Sequence, residues 1–304
     1  ALTLRSLYHS KGYTQYRMSK FEEYDLYSRN KDFLLSNRII TFTDTNGKLM
    51  ALKPDVTLSI IKNTGDSESG LARLYYDERV YRVGADSSGF REIRQTGLEC
   101  MGAVDSQAVS EVLALAAESL AETALPAILN VSHLSLLSGL FDRAALQQDA
   151  RQRLTAFADE KNVHELRSAC RELGVSVELT EAMAKLISVY GKPGDVAAEL
   201  APISGLLDRD ALAELISVCE SLPPELKDCI RLDFSVTGDM KYYNGIVFKG
   251  FLEGVPSAVL SGGQYDGLMR SMGRRDKAIG FAVYMDMLER LYSGRKAVYR
   301  REDA

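Results

Sequence analysis

Apolar and polar positions change period several times along the chain, and each change marks an element. Leu2 to Tyr13 reads as the end of an amphipathic helix closed by Gly12, whose missing Cβ permits a left-handed C-terminal residue. A short helix is predicted from Leu26 to Ser36. Next comes RIITFTDTNGKLMAL, two strand-like runs around Asn46-Gly47, which fits a type I′ hairpin turn. Strands follow at Leu71 to Val83 and Phe90 to Val104, linked by GADSSG. The Ala- and Leu-rich stretch from Asp105 to Thr123 has the pattern of a helix laid on a sheet, and the strand AILNVS and the helix LSLLSGLF come after it.

From about Asp142 to Pro223 the pattern is helical throughout, punctuated by Gly174, Gly191, Gly194 and Pro202. Strand patterns return in IRLDFSV, YYNGIVFKGF and SAVLSGG, and a final helix is predicted from AIGFAV through MDMLERLYSG. The order predicts an α+β fold whose antiparallel sheet is interrupted by a helical insertion. Residues 1–141 and 224–304 form the two parts of one core, and 142–223 form the insert. No glycine-rich nucleotide fingerprint follows a strand, which speaks against a doubly wound fold.

Composition narrows the class. Of 304 residues, 46% are hydrophobic and 26% charged, which excludes a disordered or fibrous chain. The net charge of −5 supplies no general attraction to phosphate, so nucleic-acid binding would need a local basic patch. Cys100, Cys170, Cys219 and Cys229 have no CxxC spacing, and reduced buried thiols are expected rather than a metal site or disulfides. No run reaches 18 apolar residues, and a cytoplasmic location is expected.

Three segments offer chemistry, each with a plainer alternative. In LKPDVTLSI, Pro54 can set the Asp55 carboxylate at the lip of a pocket to meet an ammonium or imidazole, or Asp55 can simply cap a helix. Along FREIRQTGLE, strand alternation puts Arg91, Ile93, Gln95, Gly97 and Glu99 on one face. There Gln95 and Glu99 can read a small amine while Arg82, from the neighbouring strand, clamps a carboxylate or phosphate; the alternative is a solvated face with ion pairs. Finally, Tyr242, Tyr243 and Tyr265 can wall a small-molecule site beside Gly262 and Gly263, or belong to a packed sheet. The basic group Arg270, Arg274, Arg275 and Lys277 reads as a phosphate contact or a solvated loop. HExxH, GxSxG and the zinc-deaminase signature are all missing.

Taken in order, LKPDVT, YRVGADSSGFREIRQTGLE, MKYYNGIVFKG, SGGQYDGL and AIGFAVYMDMLERL resemble the catalytic core of the histidyl-tRNA synthetases, class II aminoacyl-tRNA synthetases. Within that family they most resemble a non-catalytic branch that regulates short-form ATP phosphoribosyltransferase. The resemblance implies a six-stranded antiparallel sheet flanked by helices, a helical insertion and a homodimer. It also implies a histidine-like ligand pocket using Asp55, Arg82, Gln95, Glu99, Tyr243 and Tyr265, with no cofactor, no metal and no catalytic residue of its own.

The adenylating positions depart from the family. Gly84 stands where FRxE has its glutamate, and GADSSG is a shortened, acidic link. In GDMKYY, Gly238 replaces the arginine of RGLDYY, and in YMDM the usual GLER ending gives way to Tyr284 and Met287. Near the start, Ser19 occupies the place of the first motif's proline. Each missing guanidinium removes a charge-assisted donor worth about 3–4 kcal/mol at a transferring phosphoryl centre. The chain also ends soon after the third motif, before any anticodon-reading module is expected. The expected role is therefore activation of a catalytic transferase subunit and histidine feedback on the first step of histidine biosynthesis. The alternatives are a divergent histidine-adenylating enzyme or an RNA-binding paralogue.

Overall fold

The computed structural model describes residues 1–31, 34, 39–66, 70–83, 89–237 and 242–291. From the amino terminus, α1 (Leu2–Ser10), β1 (Thr14–Gln15), β2 (Phe21–Glu23), α2 (Tyr24–Arg29), β3 (Thr41–Thr43), β4 (Leu49–Leu52) and α3 (Thr57–Asn63) precede two long strands, β5 (Leu71–Val83) and β6 (Phe90–Gly102). Next come α4 (Ser106–Ala121), β7 (Ala127–His133) and α5 (Leu134–Arg143). Six helices follow: α6 (Gln148–Asp159), α7 (Val163–Glu172), α8 (Val177–Ser188), α9 (Pro193–Leu200), α10 (Arg209–Glu220) and α11 (Pro224–Lys227), with β8 (Tyr190–Gly191) between α8 and α9. The chain then runs through β9 (Ile230–Asp233), β10 (Ile246–Leu252), β11 (Leu260–Gln264), α12 (Asp266–Ser271) and β12 (Lys277–Tyr284), and residues 285–291 are helical.

The central sheet has the order β1-β5-β6-β12-β11-β10-β7-β9-β8. Its six inner strands, from β5 to β7, are antiparallel throughout. Two further strands lie parallel to this core, β1 beside β5 and β9 beside β7, so the whole sheet is mixed. Parallel neighbours need a long crossover, and the helices from α5 to α11 supply one between β7 and β9. A separate three-stranded sheet, β2-β4-β3, covers one end.

Alternation along the strands separates two cores. Tyr75, Leu98, Cys100, Ile279 and Phe281 face the α1 and α4 side, in a cluster continuous with buried residues of α6 to α10. Tyr76, Val80, Met101 and Ala278 face the other way, against Val56, Leu58 and Ile61 around α3 and Leu268 of α12. Helix α4 is set by Asp105, whose side chain accepts from Ala108 N at 2.9 Å and satisfies one of the donors a helix start leaves open.

Three local expectations are corrected. The hairpin at 44–48 has a three-residue loop. Asp44 accepts from Asn46 and Lys48 amides, and only Gly47 has positive φ, at 80°, whereas a type I′ turn needs it at Asn46 as well. The helix expected near Leu26 to Ser36 starts two residues earlier, at Tyr24, and α2 ends at Arg29; residues 32, 33, 35 and 36 of that stretch lie outside the described residues. AIGFAV is the interior of β12, not the start of a helix; an unbroken apolar run buried on both faces carries no alternation that would reveal a strand.

Candidate functional site

Asp55, Arg82, Gln95, Glu99, Tyr243 and Tyr265 line one cavity of about 490 Å³ on the α3 side of the sheet. Strands β5 and β6 bring Arg82, Gln95 and Glu99 there, the turn into α3 brings Asp55, and the end of β11 brings Tyr265. The arrangement follows from the two-residue strand repeat, which puts Gln95, Gly97 and Glu99 on the same face.

Glu99 lies on the floor, only 2% exposed. Thr57 Oγ1 donates to its Oε1 at 2.6 Å, and Tyr265 OH donates to its Oε2 at 2.7 Å. Burial outweighs both donors and pushes its carboxyl up to about 8, with the nearby Asp55 charge acting in the same direction. Room for Glu99 depends on Gly280 across the β6–β12 ladder, where a Cβ would fall 1.7 Å from Glu99 Oε2 and 2.6 Å from the Leu98 carbonyl oxygen.

Asp55 both caps a helix and lines the cavity. Its Oδ1 accepts from Leu58 N at 2.9 Å, capping α3, while Oδ2 lies 3.8 Å from Arg82 Nη2. Burial raises its pKa, against the pull of Arg82 and the backbone donors. Arg82 is aimed by the bond from its Nε to Pro54 O at 2.8 Å. Lys53, 2% exposed, anchors the same turn through an ion pair with Glu78. A charge this deeply buried requires that partner.

Aromatic rings complete the walls. Tyr242 packs against Tyr243 with centroids 4.7 Å apart and against Tyr265 at 5.9 Å. Gly262 and Gly263 are packed sheet, not a bend that admits ligand: a Cβ on Gly262 would meet Phe281 Cβ at 2.4 Å, and one on Gly263 would meet Tyr243 Cδ1 at 2.8 Å. Tyr76 and Ser261 also line the cavity and were not foreseen. The signal for Tyr76 lay in the register, because it sits opposite Gly97, where a Cβ would fall 2.6 Å from its hydroxyl oxygen.

The basic group proves to be structural at Arg274. Its side chain, 10% exposed, donates to Ile61 O at 2.9 Å, Gly65 O at 2.6 Å and Thr64 O, and pairs with Asp66 and Asp276. It thereby satisfies carbonyls left open at the end of α3. Ser19 precedes β2 and its hydroxyl accepts from Phe21 N at 3.4 Å. Gly84, Gly238 and all of GADSSG except Gly89 lie outside the described residues.

The four cysteines are free, and burial pushes Cys100 up to about 11 and Cys219 up to about 12, so neither is a ready nucleophile. Among the described residues, no group of three or more His, Cys, Asp or Glu side chains is placed to hold a metal, and no helix is long and apolar enough to cross a membrane.

A sequence model of the family described as histidyl-tRNA synthetase matches residues 1–288. The chain is 27% identical, over 92% of its length and 72% of the relative's, to a protein of Alkaliphilus metalliredigens named ATP phosphoribosyltransferase regulatory subunit. A protein of the same name from Lactococcus lactis subsp. cremoris is 28% identical over 93% of this chain and 88% of its own. Among solved structures, one from Bacillus halodurans titled ATP phosphoribosyltransferase regulatory subunit/histidyl-tRNA synthetase superposes with a TM-score of 0.82 at 25% identity, covering 94% of this chain and 76% of that one.

Proposed function

The chain belongs to the histidyl-tRNA synthetase family, and from that membership we propose that it is the non-catalytic regulatory subunit of a short-form ATP phosphoribosyltransferase. In this role it activates the catalytic subunit and makes the first step of histidine biosynthesis, in the cytoplasm, sensitive to histidine. The names of its relatives support the regulatory role. The observation that supports it is the cavity, where Asp55 and Glu99 stand together with Gln95, Arg82 at the edge and Tyr243 and Tyr265 on the walls.

In this reading Glu99 and Gln95 take the ligand's amine, Arg82 takes its carboxylate, and Tyr243 and Tyr265 enclose its ring, with Asp55 holding Arg82 in place. Charge-assisted bonds in a closed site outweigh what the same groups gain in water. The loss of arginine at 238 and 287 removes donors that phosphoryl transfer requires, so the pocket binds without reacting. Regulation follows if the two activity states of the complex differ in their affinity for the occupied pocket. A homodimer within a hetero-oligomer is the expected assembly.

Calorimetric titration of L-histidine into the isolated chain tests the pocket, and ATP–pyrophosphate exchange tests for residual adenylation. Saturable binding without exchange is expected. Absence of binding contradicts the pocket, and robust exchange identifies an adenylating enzyme instead.

A further inference from the structure

A second, larger cavity, open to solvent, adjoins the first. Among the described residues, the two share only Arg82 and Tyr284 in their linings. Tyr284 ends β12, and two bonds hold it there: its amide donates to Val259 O at 2.8 Å, and its hydroxyl shares a hydrogen bond with Ser261 Oγ at 2.6 Å. Ser261 belongs to the wall of the first cavity. The ring is thus tied at both ends, with one end in the backbone ladder and the other on the neighbouring strand.

We infer that Tyr284 is a specificity-determining residue: its ring and its bond to Ser261 close the small cavity at the Arg82 end, so that the site takes a free amino acid and rejects the same amino acid extended through its carboxyl group. The inference rests on the pocket reading above, which puts the ligand's amine at Glu99 and its carboxylate at Arg82. A group attached to that carboxylate must pass where the Tyr284 ring stands. Entry would require breaking the Ser261 bond and swinging the ring into the larger cavity. Such steric exclusion discriminates against a ligand without adding any attraction for the preferred one. Beyond Tyr284 and Arg82 the larger cavity opens to solvent, which is where such an extension would have to lie.

The test compares L-histidine, L-histidinamide and L-histidine β-naphthylamide by equilibrium binding to the full chain. Both amides lack the carboxylate charge, so the ratio of their dissociation constants isolates the effect of bulk. In the wild-type chain the naphthylamide binds at least about 30-fold more weakly than histidinamide, in the range by which shaped pockets discriminate. Tyr284→Gly brings the ratio to within about threefold, and Tyr284→Phe, which keeps the ring, retains most of the discrimination. Should the glycine variant melt early, Tyr284→Ala serves in its place. A wild-type ratio near one, or an unchanged ratio in a folded Tyr284→Gly or Tyr284→Ala chain, overturns the partition while leaving the pocket intact. Failure of the wild-type chain to bind L-histidine overturns the pocket reading and the partition with it.

Discussion

Glu99 shows how burial decides the state of a site. Two hydroxyl donors favour its ionised form, yet desolvation holds the carboxyl at about 8. At neutral pH Glu99 is therefore mostly protonated, and an ammonium bound beside it is expected to drive the proton off. Histidine binding is expected to release protons at pH 7 and to tighten between pH 6.5 and 8, measurable by calorimetry in buffers of different ionisation enthalpy. The same shift affects stability in the opposite direction. Because the native state binds more protons than the unfolded chain between about 4.5 and 8, Glu99 lowers stability as pH rises through that window, by on the order of 1 kcal/mol per unit at most. Glu99→Gln is expected to flatten this part of the urea-unfolding profile and to abolish cation binding; an unchanged slope contradicts the assigned carboxyl. The face shared by Gln95 and Glu99 was legible from alternation alone. Asp55 was legible as a cap, but its approach to Arg82 was not, because that residue arrives from another strand. Ser261 was illegible, since a lone serine in a strand gives no sign of which tyrosine it meets.

At the scale of elements, the pocket depends on close passage between strands. Gly280→Ala places a Cβ against Glu99 Oε2 and the Leu98 carbonyl, and the carboxylate cannot yield without losing Thr57 or Tyr265. A loss of about 1–3 kcal/mol is expected in chemical denaturation, together with weakened histidine binding. Asp105→Ala, which removes only the α4 cap on the opposite side of the sheet, is expected to cost about 1 kcal/mol and leave binding unaltered. Equal effects of the two variants on binding would contradict the placement of the site. Strands β5 and β6 and helix α4 were readable because their periods are long and clean. β12 was misread because both of its faces are apolar: Ile279 and Phe281 serve one core, Ala278 the other. The Asn46-Gly47 turn was recognised as a turn but not its type, because the Asp44 side chain fixes a three-residue loop that the dipeptide alone does not specify.

At the scale of the whole molecule, the six inner antiparallel strands hold most of the cavity's lining, and the helices from α5 to α11, with β8 among them, lie between β7 and β9. The order of motifs revealed this architecture, since several separate segments had to match in sequence. The parallel additions at each end of the sheet were not readable, because register between strands far apart in sequence depends on how the intervening helices pack. In the proposed role, regulation is a property of an assembly: histidine would alter transferase activity only as far as it binds one state of the complex more tightly than the other, and the partner would shift histidine affinity by the same factor. The most direct measurement is the turnover of a purified short-form ATP phosphoribosyltransferase catalytic subunit, assayed alone, with this chain, and with this chain plus L-histidine. The account predicts that the chain raises turnover and that histidine then suppresses it, with the suppression lost in Glu99→Gln. Turnover that is unchanged by the chain, or inhibition that persists in the variant, would contradict it.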